Sequence, residues 1–314
     1  MKHVTLTPTD LGLPAEPAAA RRKDPPAVHV RVRLDSQLRA LLAHEAGTKS
    51  GVDPEDLHQM RVTIRRLRAA VNADGAGLGE VAPPLQLELK WLGNALGPVR
   101  DLDVQLDRLR AEAAGFEDNE RAAVERLLTG LIDERRAARR RMLAAMRTKR
   151  YSELLTSLAA ATASKPTSES PPVANGKTPA VISVIYKPYR KLFKAVEALG
   201  EDPPDEQLHA LRIKGKRLRY AAELVGAAGK EPVKQLIKAT KAFQEVLGEH
   251  QDAAVAEETI RRLLEGHEDA EVIFVAGRLV EREHARRLAY RAQWREKWDA
   301  VAALAPEFNH KTAA

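Results

Sequence analysis

The residues best able to do chemistry in this chain are a histidine and a file of arginines and lysines on one helix, and the arrangement occurs twice. Leu57-His58-Gln59-Met60-Arg61-Val62-Thr63-Ile64-Arg65-Arg66-Leu67-Arg68 returns as Leu208-His209-Ala210-Leu211-Arg212-Ile213-Lys214-Gly215-Lys216-Arg217-Leu218-Arg219. At helical spacing Leu57, Met60, Ile64, Leu67 and Val71 form one apolar stripe. His58, Arg61, Arg65 and Arg68 fall in an arc of roughly 80° beside it and line about 15 Å of helix. The second copy sets His209, Arg212, Lys216 and Arg219 beside Leu208, Leu211, Leu218 and Ala222. Solvated helix faces usually mix signs through i, i+4 pairs. Here no acid occurs from Leu57 to Ala73 or from Leu208 to Ala222. Such a rail repels itself until an anion binds, and the guanidinium fork matches phosphate oxygens. The expected ligand is therefore a long polyanion.

The elements that must position these rails repeat with them. A constant offset of 151 residues, set by Leu57 and Leu208, also takes Lys90 to Lys241, Leu96-Gly97 to Leu247-Gly248 and Asp101 to Asp252. It further takes Arg135, Arg136 and Arg140 to Arg286, Arg287 and Arg291. The expected fold is all-α, a tandem duplication giving two four-helix bundles related by a pseudo-twofold axis. The first repeat spans 27–160, with helices at 27–46, 53–73, 80–114 and 117–159. Gly97-Pro98 is expected to interrupt and kink the third of these. The second repeat spans 180–305, with helices at 180–199, 204–227, 230–265 and 267–304. Residues 1–26 read as a mobile N-terminal arm, 161–179 as a Ser/Thr/Pro-rich flexible linker and 306–314 as a C-terminal tail.

Composition agrees with helices. Apolar residues make up 44% of the 314 and aromatics 4%, a balance that favours helix over sheet. The net charge of +7 suits anionic partners, and the two basic runs carry more positive charge than the whole surplus. The absence of cysteine excludes thiol nucleophiles, disulfides and cysteine-based zinc sites. No apolar run is long enough to span a membrane, and the N-terminus lacks an apolar signal core, so a cytoplasmic protein is expected.

These residues carry a family resemblance. The duplicated L-H-x-x-R-[VI]-x-x-[RK]-R-L-R run, each copy followed by Leu-Gly-x-x-x-Asp, resembles the CHAD family, the conserved histidine α-helical domain, over roughly residues 27–305. The resemblance implies a pair of four-helix bundles around a basic cavity, binding of inorganic polyphosphate and association with polyphosphate granules. By position it assigns binding to His58, Arg61, Arg65, Arg66, Arg68 and Lys90 in the first repeat, with Arg135, Arg136 and Arg140. The second repeat supplies His209, Arg212, Lys214, Lys216, Arg217, Arg219 and Lys241, with Arg286, Arg287 and Arg291. The Ile64/Gly215 and Ala69/Tyr220 mismatches show that the copies have diverged.

Other chemistry finds less support. His58 and His209 have no second ligand one turn away, since Arg61 and Arg212 stand there, so no metal and no cofactor are expected. Asp101 and Asp252 could be proposed as bridging carboxylates, but read better as helix caps or partners of an Arg or His. With no Gly-rich phosphate loop and no nucleophile elbow, the chain is not expected to be an enzyme. Nucleic acid is the alternative anion, although the basic runs offer few aromatics or amides to bases. A structural adaptor for acidic partners is the remaining reading. Trp294 and Trp298, one turn apart, are expected to pack the last helix.

Overall fold

The computed structural model describes residues 6–21, 26–72, 78–163, 179–225 and 231–304. Among these residues the structure is all-helical, with α1 (Pro26–Ser50), α2 (Pro54–Val71), α3 (Ala82–Glu112), α4 (Asp118–Leu127), α5 (Thr129–Met146) and α6 (Lys149–Ala163). They are followed by α7 (Pro179–Glu197), α8 (Asp205–Val225), α9 (Glu231–Leu264) and α10 (Ala270–Ala302), with short 3-10 turns before and after α3. The chain forms two compact units. One comprises Met1–Arg108 with Leu128–Pro171, the other Leu109–Leu127 with Pro172–Ala314. These units differ from the sequence repeats, because Leu109–Leu127 belongs with the second.

In the first unit α1 and α2 pack as an antiparallel pair, closed by α3, α5 and α6. Leu34, Leu38 and Leu41 meet the expected α2 stripe of Leu57, Met60, Ile64 and Leu67, with Leu89, Leu92 and Leu96 of α3. The segment expected to be a mobile arm is docked over part of its length. Leu13 is buried, and Leu6 and Leu11 pack against the same core. Arg39 explains the docking: Nη2 donates to the Pro14 carbonyl (2.7 Å), while Nε pairs with buried Asp35 (2.9 Å), which also accepts from the Ala18 amide (3.0 Å). Residues 1–5 and 22–25, most of the expected linker (164–178), and the tail lie outside the described residues.

Two expectations about helix continuity are corrected. Pro98 lies inside α3 without interrupting it. A proline removes one i→i−4 bond, here to the carbonyl of Asn94, and both residues are on the exposed side where water can replace it. The single helix expected at 117–159 is instead three. Leu128 opens the first break with ψ −5° before Thr129-Gly130, a weak helix-forming pair. The second break follows Arg147, where the Thr148 hydroxyl donates to the Ala145 carbonyl (2.7 Å) and diverts the backbone.

The second unit has its own core. Ile185, Tyr189 and Leu192 of α7 meet Leu208, Leu211 and Leu218 of α8, and Leu236, Phe243 and Leu247 of α9. Trp294 and Trp298 are buried in it, as expected, and the Trp298 ring lies 5.9–6.4 Å from Phe243, Phe193 and Tyr189. The same unit holds α4 against α10 by reciprocal ion pairs. Arg126 of α4 reaches Asp269 (3.0 Å) and Glu271 (2.7 Å), while Arg278 of α10 pairs with Glu120. Glu120 and Glu271 are equivalent under the 151-residue offset, so the same acid is used in each direction. Buried Phe116 lies under the guanidinium groups of Arg278 (3.9 Å) and Arg282 (4.5 Å).

Candidate functional site

Helix α2 starts where local chemistry requires it to. Asp53 caps it by accepting from the Glu55 amide (2.8 Å), and Pro54 takes the first turn. With the apolar stripe buried, the basic residues are set at the helix edge. Arg61 crosses to α3, where Nη1 donates to the Gly97 carbonyl (2.6 Å) and to Asp101 (2.8 Å). This gives the Leu-Gly-x-x-x-Asp motif a physical meaning in the first repeat: the glycine's carbonyl and the acid both accept from the guanidinium. In the second unit Arg212 lies beside the equivalent glycine, its Nε 3.7 Å from where a Cβ of Gly248 would be.

Beyond Arg61 the first rail is open. Arg65, Arg66, Arg68 and Lys90 are exposed, and none has an acidic partner among the described residues. His58 is half-buried beside them. Burial is the main cause of its lowered pKa; Glu55 opposes the shift, and Arg100, Arg65 and Arg61 add to it. Arg100 was not singled out from the sequence. Its equivalent across the offset is Gln251, so a search for repeated cations passes over it.

The second rail keeps the geometry with different occupants. His209 Nδ1 lies 2.9 Å from Gln251 Oε1, as His58 stands near Arg100. Arg219 leans on Glu223 (3.4 Å) and on the Tyr220 ring (5.3 Å). Lys216 is also engaged, whereas Lys214, Arg217 and Lys241 have no acidic partner among the described residues. The Ile64/Gly215 mismatch is compensated across the helix pair. Ile64 packs on Gly93, while Gly215 faces Phe243 and Gln244, whose equivalents are Leu92 and Gly93. Bulk has moved from one helix to the other.

The arginines of α5 and α10 are placed differently. Arg135 pairs with buried Asp103, and Arg286 with Glu112. Arg287 contacts Asp205 (2.8 Å) and buried Glu257 (2.9 Å), and Arg291 contacts Asp202 and Asp205 (2.6 Å each). Asp205 also lies 3.2 Å from the buried His250 ring. His250 titrates below the usual histidine range, chiefly through burial; Asp205 opposes this, and Arg291 and Arg287 add to it. These four arginines are therefore engaged with carboxylates of the protein itself. Arg136 reaches only Asp133 of its own helix (2.8 Å), and Arg140 is exposed without an acidic partner among the described residues. Arg139, on the same basic stretch of α5, donates to the Lys49 and Ser50 carbonyls (2.8 Å each) and closes the end of α1.

The chain is 33% identical over 269 residues to uncharacterized protein MT2285 of Mycobacterium tuberculosis strain CDC 1551 / Oshkosh, covering 82% of this chain and 50% of that one. The same figures hold for uncharacterized protein Rv2226 of strain ATCC 25618 / H37Rv. The chain thus spans about half the length of the curated relatives it matches. Its fold is similar to the crystal structure of the CHAD domain from the plant Ricinus communis, with TM-score 0.61, 27% identity, and 92% and 94% of the two chains covered. It is also similar in fold to PptA from Streptomyces chartreusis, with TM-score 0.65, 18% identity, and 88% and 100% covered. The CHAD domain pattern matches residues 32–261, the span that contains both rails and both Leu-Gly-x-x-x-Asp breaks, and the chain belongs to the CHAD domain family.

Proposed function

We propose that this protein binds inorganic polyphosphate, without catalysis, through the basic edges of α2 and α8. The observation that carries the reading is the open file of Arg65, Arg66, Arg68 and Lys90, which lacks acidic partners among the described residues, whereas Arg135, Arg286 and Arg287 are paired with carboxylates. Membership of the CHAD family supports phosphate as the anion. The pseudo-twofold arrangement of two four-helix repeats belongs to the same proposal, supported by the reciprocal use of Glu120 and Glu271. So do the basic cavity and the association with polyphosphate granules that the family resemblance implies. No helix among the described residues is long and apolar enough to cross a membrane.

Competition tests the reading. Immobilised protein carrying long-chain polyphosphate is challenged with duplex DNA and RNA at matched phosphate, in about 0.15 M salt to screen weak surface pairs. Polyphosphate is expected to stay bound; displacement by either nucleic acid at equal phosphate would reassign the site.

His58 adds a pH signature. Its pKa in the free protein is lowered from about 6.5, so the ring is neutral at pH 7. A bound polyanion favours the imidazolium and raises that pKa, so binding takes up a proton. Affinity is then expected to rise as pH falls through the bound-state pKa and to level off below the free-state one, by at most about tenfold per pH unit. Titration at pH 8, 7 and 6 reads this directly. An unchanged profile in His58→Ala would remove His58 from the account.

A further inference from the structure

Helix α7 carries a cationic face that neither the repeat nor the rails account for. Ile185, Tyr189, Leu192 and Val196 anchor it in the core of the second unit. On the opposite side Lys187, Arg190, Lys191 and Lys194 are exposed, within about 100° of arc and about 10 Å of helix. No acid occurs from Pro179 to Val196, and none of the four has an acidic partner among the described residues. Arg190 lies 5.6 Å from the Tyr186 ring, a contact that leaves its charge uncompensated.

The fold does not require this face. The equivalent positions on α1 are Ser36, Arg39, Ala40 and Ala43, and Arg39 there is held by Asp35 and by backbone carbonyls of residues 14–16. Nor is it the rail. On α8, His209 and Arg212 turn toward α9, at Gln251 and Gly248. Lys214 and Arg217 lie outside that arc. A short connection of 198–204 makes α7 and α8 antiparallel, which sets Lys187 level with the turn of α8 carrying Lys214 and Arg217. The cations at spacings of three and four on α7 repel one another in the free protein.

We propose that the outer faces of α7 and α8 form a second polyanion-binding surface, made by Lys187, Arg190, Lys191 and Lys194 with Lys214 and Arg217, which engages a further stretch of a polyphosphate chain already held on a rail. This rests on the polyphosphate reading and deepens it: the surface makes binding depend on chain length. Flexible lysines on a flat helical face suit a linear polyanion without fixed geometry, and a second contact on one chain acts through effective concentration.

The test compares the full chain with its Lys187→Gln/Arg190→Gln/Lys191→Gln/Lys194→Gln variant, titrated with polyphosphate of about a hundred units and with tripolyphosphate. All four positions are exposed, and removing like charges leaves the thermal midpoint at or above the wild-type value. The variant is expected to lose about tenfold or more in affinity for the long chain. Its dependence of log K on log salt should fall by roughly 3, and tripolyphosphate binding should be unchanged. Equal long-chain affinity and salt dependence in the two proteins would overturn the second surface while leaving the rails intact. Equal loss for both ligands would overturn the chain-length role. Wild-type protein that binds neither ligand would overturn the polyphosphate reading itself. DNA that displaces the long chain from wild type but not from the variant would assign the face to nucleic acid instead.

Discussion

Replacing Arg65, Arg66 and Arg68 together with glutamine is expected to lower the affinity for long-chain polyphosphate by about a hundredfold. Each arginine is exposed and has no acidic partner among the described residues, so no internal ion pair must break before a phosphate is met. A charge-assisted hydrogen bond at a wet surface contributes about 1 kcal/mol, and three give about 3 kcal/mol, or roughly two decades. Folding should not suffer, because the substitutions remove like charges from a helix whose stability comes from Leu57, Met60, Ile64 and Leu67 on the other face. Substituting Lys216 and Arg219, the matching positions on the second rail, is expected to cost less. Arg219 already leans on Glu223 and Tyr220, and Lys216 is engaged, so part of the interaction with ligand is offset by contacts given up. Isothermal titration at one salt concentration checks both. Affinity within threefold of wild type in the Arg65/Arg66/Arg68 variant would show that the first rail is not the binding surface.

Much of this was legible in the sequence because it is local. The α2 and α8 stripes follow from helical spacing, and the residues expected in them are buried. The motif linking Arg61 to Gly97 and Asp101 was visible as a repeated pattern, though its geometry was not. What a constant offset cannot show is the partner of each cation. Arg286 and Arg287 match Arg135 and Arg136 by position, yet Glu112 lies 174 residues before Arg286 and Asp205 lies 82 before Arg287. Selecting cations by recurrence gathered structural and open arginines into one group and passed over Arg100, whose equivalent is an amide. The three-way division of 117–159 was hidden for another reason. Thr129-Gly130 and Thr148 are mild signals inside strongly helical surroundings, and α4 and α5 belong to different compact units.

The separation of binding from structural arginines makes its sharpest prediction at Arg287. The Glu257 carboxylate is almost wholly buried, 2.9 Å from Arg287 Nε, with Arg261 and His284 at 3.2 and 3.7 Å on its other oxygen. Arg287→Ala removes the nearest of these charges and also takes a hydrogen bond from Asp205. Breaking one side of a buried pair costs about 3 kcal/mol, because the remaining charge stays desolvated. In a unit of this size that lowers the thermal midpoint by on the order of 10 °C. The equivalent change in the first repeat, Arg136→Ala, is expected to shift stability by under about 0.5 kcal/mol, since Asp133, its partner among the described residues, is exposed. The positions matching Glu257 and His250 there are Leu106 and Val99, so no buried charge is left behind. Polyphosphate affinity measured below the unfolding transition should be unchanged in Arg287→Ala, the reverse of the Arg65/Arg66/Arg68 result. A loss of affinity without a loss of stability would place Arg287 on the ligand and dissolve the distinction. Replacing Glu257 and Arg287 together by leucine and methionine should recover most of the stability, because an apolar pair of similar volume has no desolvation cost to offset.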